Sequence, residues 1–383
     1  MAILMNKDTP ILEVEIEKGD IISTGKVLCE EMLPIPLQDG FTLETANKWF
    51  GTRRIPDKRE GMTEARSQFR GFEEDRNYFS LSDQYWVRHN KNETWKKLNF
   101  FTNRYSQEVG KIFFEPWNVD QEKLAQPSPD RTTNGVLRKR WVQDESGKSY
   151  LIKAGSVLYH QEPLSEVMAS IMLKKLKMID FVEYEMLVDG MRFCSKCPNF
   201  VDASTEFVPA SAIYSKIPRK QSETVYEHLL TMCTRYNIIG AREYIDHMIV
   251  VDHVLCNTDR HLGNFGFLRS AETGKILGFA PLFDCGSAYW GTTNTVKENK
   301  SRLFSDCEKD IISKAAKRGL LKNAKTTSEM YRLLDMYPEI RSEKKAKIKK
   351  MINDMDLEVE RMSGASENEK DKRHDIPDLE IEF

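Results

Sequence analysis

Asn257-Thr258-Asp259-Arg260-His261-Leu262-Gly263-Asn264, followed twenty residues on from Asn264 by Asp284-Cys285-Gly286, is the stretch whose spacing decides how this chain reads. An aspartate, an asparagine five positions on and a later Asp-x-Gly set three oxygen-bearing side chains on two adjoining loops. Asp259 is the candidate general base for a hydroxyl proton. Asn264 offers a neutral carbonyl oxygen and Asp284 a carboxylate, both hard donors of the kind magnesium takes. Phosphoryl transfer asks a protein for alignment and for cations that absorb charge, with little covalent help. Gly286, two residues after Asp284, gives the backbone freedom to turn toward a metal.

Working outward, Ala241 to Cys256 carries Ile245, Met248, Ile249, Asp252 and Leu255 at the spacing of a helix with one buried face. The motif therefore falls on a loop just past a helix end. Phe265 to Leu268 and Ile276 to Phe279 read as a hairpin around Glu272-Thr273-Gly274, which brings both candidate ligand loops to one end of a β-ribbon. His261 is a candidate to orient Asp259 or to sense a phosphate, with a structural hydrogen bond as the other reading. Arg260 is read as pairing with the transferred phosphate or with a nearby acid.

Upstream, the strand Tyr150-Leu151-Ile152 ends in Lys153, the register of a lysine that reaches the α- and β-phosphates of a nucleotide. Glu166, thirteen residues later in a helix opened by Pro163, is its candidate partner; Glu162 competes but is read as lying outside that helix. Thr132-Thr133-Asn134-Gly135 precedes the strand Gly135 to Val142. It is the candidate phosphate-covering loop, through its amides and hydroxyls. It has one glycine where a G-x-G-x-x-G loop has three.

These motifs resemble those of the HipA-like serine/threonine kinases of bacteria. The catalytic string is also similar to that of phosphatidylinositol kinases, which place Asp-Arg-His-x-x-Asn before Asp-x-Gly. Tyr150 to Ser156, Gln161-Glu162-Pro163 with Glu166, and Glu206-Phe207-Val208-Pro209 fit the HipA pattern, so that the resemblance covers about 130–360. It implies an α+β, two-lobed protein-kinase-like fold with a small β-rich N-lobe, a helical C-lobe and an extra N-terminal subdomain. It implies ATP and Mg2+ in a cleft, with Asp259 as base, Asn264 and Asp284 on the metal and Lys153 on ATP. The substrate would be a protein serine or threonine. In many such toxin–antitoxin pairs a helix-turn-helix antitoxin binds both the kinase and DNA. The family's phosphate loop can carry an autophosphorylated serine; here the stretch offers Thr132 or Thr133. The adenine is expected near Phe200 to Phe207. Two other readings are a lipid or small-molecule kinase, docking through Trp290, Lys297, Lys300 and Arg302, and a catalytically dead kinase-fold binding partner.

A chain of 383 residues suggests two or three lobes. The expected division is 1–125 as the N-terminal subdomain, 126–204 as N-lobe, 205–362 as C-lobe and 363–383 as a polar tail. The formal net charge of −2 gives no reason to expect direct nucleic-acid binding. No apolar run approaches the roughly 18 residues a bilayer span needs, and residues 1–8 lack a signal pattern, so a cytoplasmic protein without membrane insertion is expected. The seven scattered cysteines read as reduced, buried thiols, and Cys194-x-x-Cys197 has no second pair. Leu12, Val14 and Ile16 alternate with glutamates as in a half-buried strand. The aromatics of 75–125 read as core. From about 205 the chain is expected to be helical, with Ser222 capping a helix to Tyr236 and further helices at 307–318, 326–336 and 338–361.

Overall fold

The computed structural model describes residues 1–289, 301 and 303–374. These divide into two compact units that exchange chain: 1–163, 182–241 and 262–283 form the first, and 164–181, 242–261 and 284 onward the second. The described strands all belong to the first unit, and the second is helical.

The first unit opens with β1 (Ala2–Asn6), β2 (Thr9–Glu17) and β3 (Asp20–Val27), then α1 (Leu43–Phe50), α2 (Met62–Gln68) and β4 (Tyr85–Arg88). The four strands form one antiparallel sheet in the order β3-β2-β1-β4. The alternation of β2 sends Leu12 and Val14 into a core with Leu4, Ile21, Phe50 and Val87. α1 starts where Thr42 accepts the Thr45 amide, an N-cap written in the sequence. The short helices α3 (Trp95–Leu98) and α4 (Glu108–Lys111) follow within the aromatic-rich stretch. Trp86, Phe79, Phe100 and Tyr105 pack in one cluster, with Phe79 stacked on Trp86 at 5.0 Å between ring centroids. Trp117 is an exception to the core expectation, at 66% exposed.

β5 (Lys139–Gln143) and β6 (Ser149–Ala154) lead into α5 (Glu162–Leu176), β7 (Glu185–Asp189) and β8 (Arg192–Pro198). The strands pair antiparallel as β5-β6-β8-β7. Ile152 and Ala154 on one face of β6 join Phe72, Phe113 and Phe114 in a third apolar cluster. Lys153 lies on the other face, opposite Lys139 of β5 and Ser195 of β8. Contrary to expectation, Glu162 is the first residue of α5; its carboxylate accepts the Ser156 amide at 3.0 Å.

β9 (Thr205–Pro209) precedes α6 (Ala210–Tyr214), α7 (Val225–Arg235) and α8 (Ala241–Val254), and the ribbon β10 (Gly266–Ser270) and β11 (Ile276–Phe279) follows. The chain therefore does not turn helical at 205. β9 pairs with β10, some sixty residues away, in the sheet β11-β10-β9, a pairing no local pattern reveals. Gly266 is required there, because a Cβ would run into the Val208 carbonyl. The cap of α7 is Thr224, in a reciprocal capping box with Glu227, and not Ser222.

The second unit gathers Leu164 to Phe181, α8, α9 (Glu308–Lys317), α10 (Ser328–Met336) and α11 (Ser342–His374). α11 buries Ile348, Met351, Ile352, Met355 and Val359, one helical stripe. It runs thirteen residues past the expected end at 361, into the stretch expected as tail. Residues 375–383 lie outside the described residues, as do Trp290, Lys297, Lys300 and Arg302 of the expected docking loop. Among the described residues no helix is long and apolar enough to cross a membrane.

Candidate functional site

Within the second unit the centre of the site is Asp252, on the last turns of α8. Its carboxylate accepts two bonds from the Arg260 guanidinium, at 2.9 and 2.8 Å, and one from the Asn257 side chain at 2.7 Å. The Asn257 amide also returns to the Asp252 carbonyl at 2.8 Å. The loop after α8 is thus folded back on the helix that precedes it. Arg260 is buried, and the acid it pairs with is Asp252, which answers the choice left open by the sequence. With Arg260 turned inward, Asp259 and His261 on either side of it are exposed.

The same Arg260 donates to the Cys285 sulfur at 3.3 Å. One guanidinium therefore joins the Asp259 loop to the residue after Asp284. From the other side, the Glu166 carboxylate accepts the Cys285 amide at 2.8 Å, and the Ser165 hydroxyl donates to the Ala288 carbonyl at 2.6 Å. Adjacent residues of α5 thus pin the chain around Asp284. Asp284 itself sits at φ +60°, the left-handed region, where a residue with a Cβ costs about 1–2 kcal/mol. Such strain persists only where neighbours over-determine it, and it gathers at functional sites. Burial pushes the Cys285 thiol up to about 12, so it stays protonated and inert at neutral pH. Asp252 and Cys285 are contributions that the motif alone does not reveal; only the helical register of Asp252 hints at an inward carboxylate.

The first unit carries the remaining candidates. Lys153 is buried and donates to the Tyr184 hydroxyl at 3.3 Å, with its ammonium 5.2 Å from that ring's centroid. Asn264 is buried two residues before the Gly266 end of the ribbon, where the Ala280 amide returns to the Gly266 carbonyl. Phe283 meets Phe200 and Phe207 in a half-buried aromatic trio with centroids 5.3 to 5.7 Å apart, in the segment where the adenine is expected.

The Thr132–Gly135 loop differs from the sequence reading in what its hydroxyls do. Thr132 is buried and donates to the Phe79 carbonyl at 2.6 Å, while Thr133 donates to the Pro129 carbonyl at 2.7 Å and accepts from Trp141 at 2.9 Å. Both hydroxyls are engaged with their own unit, which leaves the backbone amides as this loop's means of meeting an anion. Gly135, at φ +108°, makes the turn that only glycine adopts without strain.

At the foot of the loop Asp130 is fully buried and accepts the Trp141 amide at 2.9 Å. Burial pushes its carboxyl from 3.8 up to about 7, against the pull of the Trp141 amide and of Arg59 and Arg140. The folded pKa lies above the unfolded one, so this group's contribution is fully present below about pH 4 and is lost as pH rises through 7. Asp130→Asn should flatten that part of the stability profile. Urea midpoints from pH 4 to 8 check it: over that range the wild type should lose on the order of 4 kcal/mol relative to the variant. Parallel profiles would show the carboxyl titrating normally.

No protein-family model matches the chain. Its fold does have a solved counterpart. HipA of Shewanella oneidensis, solved with HipB and operator DNA as a toxin–antitoxin system, superposes with a TM-score of 0.56 over 97% of this chain and 99% of that one, at 12% identity. The chain has the HipA fold. That shows the architecture at this identity and nothing finer. The Helicobacter pylori proinflammatory kinase CtkA superposes over 61% of this chain and 95% of that one, with a TM-score of 0.48 and 16% identity. In sequence, 49 residues are 49% identical to the serine/threonine-protein kinase CtkA of Helicobacter pylori, a match over 13% of this chain and only 15% of that protein. The HipA fold agrees with the expected α+β, kinase-like class.

Proposed function

We propose that this chain is an ATP- and magnesium-dependent kinase that transfers the γ-phosphate to a serine or threonine of a protein. Residues 126–204 act as its N-lobe and 205–362 as its C-lobe, with 1–125 as the added N-terminal subdomain. Asp259 takes the hydroxyl proton of the substrate as its oxygen attacks, and His261 beside it orients that carboxylate. Lys153 and the amides of the Thr132–Gly135 loop hold the nucleotide phosphates. The Phe200, Phe207 and Phe283 rings offer the adenine an apolar face.

The observation that carries the reading is Arg260. It ties the loop bearing the candidate base to the loop bearing the candidate metal ligand, while leaving Asp259 exposed for chemistry. Among the described residues no group of three or more His, Cys, Asp and Glu is gathered for a metal. One amide and one carboxylate, Asn264 and Asp284, nevertheless suit magnesium, which keeps water and phosphate oxygens in its sphere. Magnesium supplies neutralisation of charge developing on the phosphates when bound.

The HipA fold and the short CtkA match support protein as the phosphoryl acceptor. The HipA structure, solved with HipB and operator DNA, supports a helix-turn-helix antitoxin as partner. Such a protein would work in the cytoplasm. The test is incubation of the pure protein with labelled ATP, magnesium and a cytosolic extract. Label on protein Ser or Thr is expected; label in lipid would overturn the protein-kinase reading. A folded protein that binds no ATP would overturn the kinase itself.

A further inference from the structure

The basic loop after α1 contains a buried arginine that the proposed reaction has not used. Arg59 is 2% exposed. Its Nε donates to the Gly135 carbonyl at 3.0 Å and its Nη2 to the Thr133 carbonyl at 2.6 Å, while Nη1 is buried without a hydrogen-bond partner. The next residue continues the grip: the Glu60 amide donates to the Val136 carbonyl at 2.9 Å, and the Glu60 carboxylate accepts the Val157 amide at 3.1 Å. Arg59 and Glu60 thus bridge the loop that enters β5 and the loop that leaves β6, which lie at the same end of that hairpin. Between those loops, on the strands themselves, stand Lys139 and Lys153, directly opposite one another.

Peptide geometry gives the grip a consequence. All peptide bonds of the loop are trans, so each C=O and the following N–H point in opposite directions. Drawing the Thr133 and Gly135 carbonyls toward Arg59 turns the Asn134 and Val136 amides away from it. Neither amide has a protein acceptor among the described residues. Lys139 presses its ammonium against Gly135, close enough that a Cβ there would collide with it. Lys139 and Lys153, on paired positions of β5 and β6, set two cations beside that turn. Amides turned outward next to such a pair form an anion-binding concavity.

We propose that Arg59, from the N-terminal subdomain, is a positioning residue for nucleotide binding: it aims the Asn134 and Val136 amides at a phosphate that Lys139 helps to hold. This rests on the kinase reading and adds to it a role for residues outside the two lobes. Arg59 touches no reacting atom, so its loss acts on ATP affinity and spares the chemical step.

The experiment compares wild type, Arg59→Met, Arg59→Lys and, as a control, Arg53→Met, by titration with ATP and magnesium and by steady-state kinetics. Arg53 is an equally buried arginine of the same subdomain that grips the Tyr78 and Tyr85 carbonyls and Asp83, away from the loop. Arg59→Met should raise both the Kd and the KM for ATP about tenfold with kcat within about twofold. Arg59→Lys keeps a cation but not the fork, and should fall between; it carries the test if the Met variant does not fold. Arg53→Met should leave the KM within about twofold of wild type. Unchanged ATP affinity in both Arg59 variants, or an equal loss in Arg53→Met, would overturn the proposal alone. A wild type that binds no ATP would overturn the kinase reading and this proposal together.

Discussion

Asp259→Ala removes phosphoryl transfer, with kcat falling on the order of a thousandfold or more, and Asp284→Asn does the same. The two losses have different causes. Asp259 is exposed, and its proposed work is to take a proton, so its removal leaves the nucleotide affinity in place and stops the chemistry. Asp284 is proposed to hold the metal, so its change lowers the affinity for ATP in magnesium as well. Asparagine is the better replacement at 284 because the backbone there is left-handed at φ +60°, which asparagine tolerates and alanine does not. Neither variant should lose more than about 1 kcal/mol of stability, since Asp259 is exposed and Asp284 only half-buried. Phosphorylation rates read beside urea midpoints check both statements. Undiminished transfer by Asp259→Ala would take that residue out of the mechanism.

Arg260→Met gives the largest loss of stability expected of any single change near the site. The variant strands the buried Asp252 carboxylate, which among the described residues keeps only Asn257 as a side-chain donor. Removing one partner of a buried ion pair costs about 3–5 kcal/mol, because the remaining charge has neither water nor a counter-ion. It also frees the Cys285 sulfur, so the Asp284 loop loosens and activity falls with stability. Pairing it with Asp252→Asn should recover more than half of the stability loss, since the stranded charge is then gone. Chemical denaturation of the single and double variants measures this. A single-variant loss below about 1 kcal/mol would show that the pair is not the anchor described.

What the chain makes legible divides along physical lines. The capping threonine of α1, the alternation of β2, the β10–β11 ribbon and the α8 stripe are local. Each is decided by residues within a few positions of one another, and each is in the structure. The β9–β10 pairing escapes a local reading because it joins segments about sixty residues apart, and Glu206-Phe207-Val208-Pro209 is too short to declare itself a strand. Thr224, not Ser222, caps α7, although both are hydroxyl residues ahead of one apolar run. The choice rests on the Glu227 side chain returning to the Thr224 amide.

At the site, the residue types and their spacing are enough to nominate Asp259, Asn264, Asp284 and Lys153. A cation, a base and two hard oxygen donors in that order along the chain are a chemical statement a linear sequence can make. Which side chains hold them is decided by tertiary structure alone. Asp252, Cys285, Glu166 and Ser165 come from three separate stretches of chain, and their hydrogen bonds exist only once α5 and α8 have packed. The Thr132 and Thr133 hydroxyls show the same limit from the other side. Suited to a phosphate by type, they are drawn inward by carbonyls from Phe79 and Pro129, because a buried hydroxyl left without a partner is costly.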